Sequence, residues 1–532
     1  MAINPKAKLV LDRYQSLNTQ RQTWEEHWQE VADYMMPRKA DITKKRSKGD
    51  KRHELIFDGT AIHALELLSA SLHGMLTNIA SPFFYLKYRD NQLDKDDEAK
   101  EWLESCTDVM YKVFASSNFQ QEIFELYHDL ISFGTAAMLI EEDINDDLRF
   151  RTIYIAEIFI TEDERGMVDS MLRKFYLPAR TVMLKFGEAN LPKNLKDKAK
   201  SYPHEEVPIL HLVMPNEEFG IAKGNKGKPY YSVYVDPDSG AILKEGGYEE
   251  FPYVVPRYLK ASNEIYGRSP AMNALADVKM LNTMSKTTIR AAQKQIDPPL
   301  LVPDDGFLLP IRTIPGGLNY YRAGTRDKIE PMNIAANNPL GLNMEEQRRK
   351  AIRENFFVDQ LMMQGGPQMT ATEVLQRTEE KMRLLGPVLG RLQSELLQPL
   401  ITRAFNILLR NKKFPQPPEF LGDQDIEIEY VSPLAKAQKT SELSSIMRGV
   451  EIFGSLQNIA PVFDHIDVNG LVKYIQDILG IPAKVMKSDM EVQQIRLQRE
   501  QMQQQQLEMQ QQMQVAEAAG KAAPALKAIN EQ

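Results

Sequence analysis

Apolar residues recur at helical spacing over residues 5–36. Leu9, Tyr14, Leu17, Trp24, Trp28, Val31 and Met35 mark the pattern, and Pro37 stops it. A second helical pattern over 60–80 carries Ile62, Leu65, Leu68, Leu72, Met75 and Ile79, and two more follow near 97–115 and 119–132. From 134 to 259 the signal changes to β. The runs RFRTIYIAEIFI, MLRKFYL, VPILHLVM, YYSVYV, AILKE and YVVPRYL are β-branched and aromatic, and DERG, FGEANLPKN, PNEEFG and DPDSG between them are turn chemistry. This predicts an α+β region with a small, mostly antiparallel sheet.

Ser269 then offers an N-cap and Pro270 a first helical position for a helix running to about Ile296, where Asp297-Pro298-Pro299 halts it. Residues 298–340 hold seven prolines with the turn signals DDG and PGG, and read as short edge-type strands and loops. A helix restarts at Asn343, with Glu346 completing a capping box, and ends near Asp359 before MMQGGPQM. Thr370 with Glu373 caps a long apolar pattern from Val374 through Leu385, Leu389, Leu392, Leu396 and Leu400 to Leu409. Pro387 and Pro399 lie inside it, so it must kink or break there. IEIEYVSP reads as one more strand, and 434–490 as a compact group of short helices. In the tail, twelve of the twenty-two residues from 493 to 514 are Gln. These favour a helix with little to bury alone, either disordered or ordered by neighbours.

The chain has 532 residues, enough for several domains or one elongated subunit, and 43% of them are hydrophobic, enough for a buried core. No apolar run reaches eighteen residues and the start lacks a signal-peptide core, so a soluble protein made in the cytosol, without membrane insertion, is expected. The single cysteine, Cys106, excludes an intrachain disulfide framework and a cysteine-cluster metal site. A net charge of −8 argues against a sequence-specific DNA binder, whose affinity needs a basic footprint. A surface past which DNA slides is different, because tight phosphate contacts would brake it. The segment 38–52, with eight basic and two acidic residues, lacks interleaved aromatics and reads as a mobile solvated loop rather than a nucleic-acid patch.

Catalytic chemistry finds no foothold. GNKGKP (224–229) superficially resembles a phosphate loop, but Ala222 stands where the first glycine belongs and Pro229 where Ser or Thr belongs, so a hairpin turn is expected. The eight histidines form no H-E-x-x-H pair, and His63 and His73 read as packing or cap residues. The acidic clusters 94–98 and 141–147 lack the glycine and terminal glutamate of a calcium loop and read as solvated turns. No catalytic residue, cofactor or metal is expected.

Four stretches resemble the portal protein (head-to-tail connector) family of short-tailed bacteriophages, the podoviruses that carry an internal ejection core. They are 57–90 (FDGTAIHALELLSASLHGMLTNIASPFFYLKYRD), 153–187, 264–306 and, the most specific, 369–418 (MTATEVLQRTEEKMRLLGPVLGRLQSELLQPLITRAFNILLRNKKFPQPP). Together they cover about a third of the chain in the family's order.

That resemblance implies a structural protein, not an enzyme, with a predominantly helical α+β portal fold of wing, stem, clip and crown. It implies a homo-oligomeric, dodecameric ring at one capsid vertex of the virion, assembled in the host cytoplasm. Double-stranded DNA would pass through it non-specifically in packaging and ejection. Its implied partners are the terminase large subunit and then the tail adaptor, the scaffolding and major capsid proteins, and the internal core ejection proteins. Mapped on this chain, 1–265 would be the wing, 266–297 the first stem helix, 298–340 the clip and 341–359 the second stem helix. Residues 360–370 would be the tunnel loop, 371–433 the long kinked wing helix and strand, 434–490 the crown, and 491–532 a Gln/Ala-rich extension. The tunnel loop would place Met362, Met363, Gln364, Gly365, Gly366, Pro367, Gln368 and Met369 in the channel, and no Lys or Arg lies among them. In the clip, Asp304, Asp305, Arg312 and Arg326 offer contacts to motor and adaptor. Lys279, Lys286 and Arg290 fall in one helical sector with Lys294 slightly offset. That stripe faces DNA phosphates, pairs with acidic residues of an adjacent subunit, or is a solvated polar face. The competing reading is a helical scaffold or adaptor protein of the virion without a DNA channel; a packaging ATPase lacks its phosphate loop here.

Overall fold

Asn4 accepts a hydrogen bond from the Lys6 amide and Pro5 fills the first turn, so α1 (Pro5–Met35) starts where a missing N–H costs nothing. The computed structural model describes residues 4–302 apart from 48, 79–81, 89–95, 144–146 and 217–226. It then describes 311–314, 318, 320, 329–332, 339–361, 385–418, 443, 446–454, 467–479, 487, 491–509 and 513. The chain divides into two compact units, Met1–Phe83 with Tyr111–Asn411, and Phe84–Met110 with Lys412–Gln532.

In the first unit the expected helices form: α2 (Thr60–Leu76), the last turns of α3 (Asp97–Ser116) and α4 (Phe119–Phe133). Trp28 of α1 is fully buried and donates its indole N–H to the Phe133 carbonyl at 3.1 Å, which ties α1 to the end of α4. Phe83, Phe114, Phe119 and Phe150 pack as one aromatic cluster beside α4.

The β region holds two sheets where the hydrophobic pattern suggested one. β1 (Ala137–Asp143) and β2 (Asp147–Ile153) form a hairpin, and β8 (Tyr253–Val254) joins it in the order β2-β1-β8. β3 (Ile158–Glu162), β4 (Val168–Pro178), β5 (Glu206–Pro215), β6 (Tyr230–Asp236) and β7 (Ala241–Tyr248) form a second sheet in chain order. Both are antiparallel throughout. The run RFRTIYIAEIFI is therefore two strands, because a 3₁₀ turn at Ile155–Glu157 sends its halves to different sheets. Most of the acidic cluster 141–147 is strand, not solvated turn: Glu141 lies opposite Arg149, and Asp143 and Asp147 bracket the reversal. Asn216 N–H bonds the Pro229 carbonyl at 2.8 Å at the end of the β5–β6 pairing; of the expected turn GNKGKP, residues 224–226 lie outside the described residues.

Two helices replace part of the predicted turn after β4: α5 (Ala179–Phe186) and α6 (Lys193–Ser201). Val182 and Phe186, and Leu195 and Ala199, repeat every four residues and cover one face of the five-stranded sheet with Phe175, Val207, Ile209 and Leu243. Alternate residues Leu172, Leu210, Leu212, Val233 and Val235 face the other way, under Ala7, Val10 and Leu17 of α1. The sheet is thus the middle of three layers.

The second unit has its own small core. Trp102 donates to the Pro415 carbonyl at 3.0 Å, and Ala99, Leu103, Cys106 and Phe414 are buried. Burial pushes the Cys106 thiol up to about 12, which makes it an inert packing residue.

His211 of β5 links the two sheets. It stacks on Tyr234 with ring centroids 3.9 Å apart and bonds the Tyr253 hydroxyl of β8 and the Ser232 hydroxyl, each at 2.9 Å. Burial, and then the nearby Arg173, Lys185 and Lys244, hold its pKa well below 6.5. The folded protein keeps His211 neutral while the unfolded chain takes a proton below about pH 6.5, so acid favours unfolding. Stability should fall as pH drops from 7 to 5, by at most about 1.4 kcal/mol per pH unit for this residue. His211→Gln should be less stable at pH 7 yet show a shallower decline, as read by urea midpoints at each pH.

Candidate functional site

Ser269 accepts from the Met272 amide at 3.0 Å and donates to the Ser132 carbonyl at 2.9 Å, so one hydroxyl caps α7 (Pro270–Ile296) and fastens it to the end of α4. Beside it Gly134 and Gly267 cross backbone to backbone. A Cβ on either would lie 2.2 Å from the other's carbonyl oxygen, and Gly134 also has φ +75°. Gly267 N–H bonds the Thr135 hydroxyl at 2.8 Å.

Ten residues before Gly267 lies Arg257, fully buried. Its backbone N–H and Nε bond Glu395 at 2.9 and 3.0 Å, and Nη2 bonds the other oxygen of that carboxylate at 2.7 Å. Nη2 also reaches the Gly166 carbonyl at 2.8 Å, while Nη1 bonds Glu162 and the Ile265 carbonyl. Burial opposes the charge, but Glu395 and then Glu162 outweigh it and raise the pKa above the usual arginine value. Glu395 stands in a π turn, Gln393–Leu397, where Gln398 N–H bonds the carbonyl five residues back. Pro399 follows in the first turn of α10 (Gln398–Arg410) and has no N–H for the Glu395 carbonyl. The interruption predicted at Pro399 is therefore a π turn. At Pro387 there is no break among the described residues, since 385–392 are continuously helical. A cleft of about 270 Å³ opens beside this turn, walled by Phe251, Val255, Pro399 and Thr402.

α7 lies against α8 (Pro339–Asn355). The second helix begins at Pro339, four residues before the predicted capping box, because Pro339 is itself a first-turn residue; Asn343 sits inside the helix. It also stops early. Phe357 takes φ +56°, and only a short α9 (Val358–Leu361) follows. Polar contacts tie the pair, Arg348 to Asp277 at 2.7 Å and Thr288 to Glu345 at 2.6 Å, while Arg349 bonds Glu345 of its own helix at 3.1 Å and Asp58, ahead of α2, at 3.0 Å. Burial works against the Asp58 charge, but bonds from Thr60 and Arg349 prevail and hold its carboxyl below the usual range.

The basic stripe on α7 divides. Lys279 pairs with Glu30 of α1 at 3.2 Å and Lys286 lies 5.2 Å over the Phe57 ring, whereas Arg290 and Lys294 are exposed without an ion pair among the described residues. The change follows burial. Nine residues from Pro270 to Ser285 are buried and none of the described residues after Ser285 in α7 is. Beyond α7, β9 (Leu300–Leu301) pairs antiparallel with β10 (Glu330–Pro331), two residues on each side. Leu301, Ile314, Leu318 and Tyr320 are each more than half exposed, and Ile296 reaches 85%. Arg312 is exposed; Asp304, Asp305, Arg326 and the whole stretch Met362–Met369 lie outside the described residues.

The basic segment 38–52 is not the free loop expected. Lys39 is clamped by Glu125 and Asp129 at 2.5 and 2.6 Å, Lys44 and Arg46 bond Asp33, and Arg52 bonds Asp41. Burial raises the Asp129 carboxyl to about 6 even against the Lys39 charge.

Comparison with known proteins supplies the family. The model for the bacteriophage head to tail connecting protein matches residues 7–486. The chain belongs to that family. Among its relatives, a "probable portal protein" of Bordetella phage BPP-1 is 33% identical over 513 residues, covering 94% of this chain and 92% of that one. The portal protein of Salmonella phage epsilon15 is 32% identical over 511 residues, with the same coverage. That of Escherichia phage T7 is 21% identical over 493 residues, covering 88% and 86%. As a portal-family connector the chain is a structural, non-enzymatic component of a phage. No described helix is long and apolar enough to cross a membrane.

For this connector the residues that pattern reading missed are the fasteners, Arg257, Glu395, Glu162 and the glycine pair, whose partners lie 95 to 138 residues away in sequence. Arg257→Met takes the shared partner from buried Glu395 and half-buried Glu162, leaving them only Arg391 and Lys260, and should cost about 3 kcal/mol. Measured by urea unfolding, a loss below about 1 kcal/mol would contradict this role. Gly267→Ala should cost on the order of 1–3 kcal/mol through the backbone clash, while Gly74→Ala, in open space on α2, should stabilise by up to roughly 1 kcal/mol.

Proposed function

We propose that this connector closes into a dodecameric ring at one capsid vertex. The ring conducts double-stranded DNA during packaging and ejection, and it docks the terminase first and the tail adaptor later. In this reading α7 and α8 are the stem, with the second stem helix at Pro339–Asn355 rather than 341–359. Residues 298–340 are the clip, 360–370 the tunnel loop, 371–433 the wing helix and strand, and 434–490 the crown.

The observation that carries the proposal is the exposed apolar surface of distal α7 and the β9–β10 ladder. Leu301, Ile314, Leu318 and Tyr320 stand in water in a single chain, and among the described residues the β9–β10 ladder has no third strand. Monomers rarely leave so much apolar surface uncovered, and open strand edges are completed by further strands. A neighbouring copy covers both at once. Heterologous contacts of this kind, repeated with a closing rotation, give a cyclic oligomer. The exposed Arg290 and Lys294 then face either passing phosphates or acidic residues of the neighbour. The tunnel loop, lacking Lys and Arg, touches DNA without counterion exchange at each step.

Leu301→Asp combined with Leu318→Asp should leave the fold intact by circular dichroism but shift sedimentation from rings toward monomers. Rings of undiminished yield would remove the support that this surface lends to the proposal.

A further inference from the structure

Residues 41–58 lie between the 3₁₀ turn Pro37–Lys39 and α2, and their described part forms no helix or strand and buries no side chain. Connections this long without structure of their own are uncommon in a compact unit and are usually functional. This one is held by polar bonds at two ends.

The near end lies on α1 and α4. The buried Gln29 amide donates to the Ala40 carbonyl at 2.8 Å, and its oxygen accepts from the Ile42 and Thr43 backbone N–H groups at 2.9 and 2.8 Å. Lys44 and Arg46 share the single carboxylate of Asp33, and Arg52 folds back onto Asp41 and the Arg38 carbonyl. Just before this segment, Lys39 sits between Glu125 and Asp129. The far end lies on α7 and α8. Asn282 accepts from the Phe57 amide at 2.7 Å and donates to the Leu55 carbonyl, Lys286 stands over the Phe57 ring, and Asp58 bonds Arg349 at 3.0 Å. Asn282 is three residues before Ser285, the last buried residue among those described in α7, so the segment grips α7 where its burial ends.

We infer that residues 41–58 are an ionic strap with coupled ends: screening its charges on α1 and α4 opens it as one unit and frees α7 and α8 at the far end. Bare of buried side chains, the strap has only these bonds to set against chain entropy. It therefore opens at a lower free energy than the sheets and helices around it. The Lys44 side chain is 54% exposed, so dissolved ions reach its pair with Asp33. No buried side chain among the described residues holds the middle once either end lets go. The coupling is reciprocal, so whatever loosens one end loosens the other. None of this depends on ring closure.

Hydrogen exchange of the full-length protein, read by mass spectrometry on peptides covering 41–47 and 54–58, tests the coupling. Asp33→Asn weakens the near end and Asn282→Ala the far end. Each should speed exchange in both peptides by at least about threefold, with the paired amides of β5 unchanged. Acceleration confined to the end that carries the substitution would overturn the inference. Raising KCl from about 0.1 M to about 1 M should likewise speed both peptides of the unsubstituted protein together and leave β5 alone. Where a variant also loosens β5, this salt series decides. Strap exchange that ignores salt, or two ends that respond separately, would overturn the inference.

Discussion

The buried guanidinium of Arg257 is the constraint on which the larger unit depends. A single side chain, with no exposure, meets a carboxylate from the π turn, a carboxylate from β3, and carbonyls from two loops. Such a group is costly to bury and survives only when every donor is satisfied, so its position leaves little freedom to the segments around it. Thirteen residues later α7 begins, and the Ser269 cap and the Gly134–Gly267 crossing stand between. The direction in which α7 leaves the unit is therefore set by a polar network, close backbone contact and a cap, not by apolar packing alone.

That arrangement separates two jobs along one helix. α7 buries one side as far as Ser285, and Lys279 and Lys286 are engaged within the subunit, on Glu30 and on the Phe57 ring. The second half is bare and continues into an exposed apolar ladder. A firm root with an uncovered tip is what a subunit needs when its own fold must be complete before neighbours are added.

Much of this was legible in the amino-acid pattern. Helices α1 and α4, the cap-and-proline start of α7, and the pairing of short strands between α7 and α8 all follow from local signals. The misses have local causes too. The 3₁₀ turn at Ile155–Glu157 interrupts a run that reads as continuous, because Ile155 and Ile158 are apolar on both sides of it. α5 and α6 were hidden by the glycine and proline between them, which dominate a short window. The start of α8 was misplaced because a capping-box pattern at Asn343 competed with Pro339, and position in the chain decided for the proline. Arg257 carried no signal at all: a lone arginine in VVPRYL has no period, and Glu395 is 138 residues distant. The basic segment 38–52 looked free because its partners, Asp33, Glu125 and Asp129, sit on helices whose packing only the fold reveals.

The central claim is that this chain closes on copies of itself around an axis, through the exposed half of α7 and the ladder beyond it. Electron cryo-microscopy of the purified full-length protein tests that most directly. The account predicts closed toroids with an axial channel, α7 and α8 inclined along its wall, and β9 or β10 paired to a strand of the next subunit. Monomers, open filaments, or rings whose contacts leave Leu301 and Leu318 in solvent would contradict it.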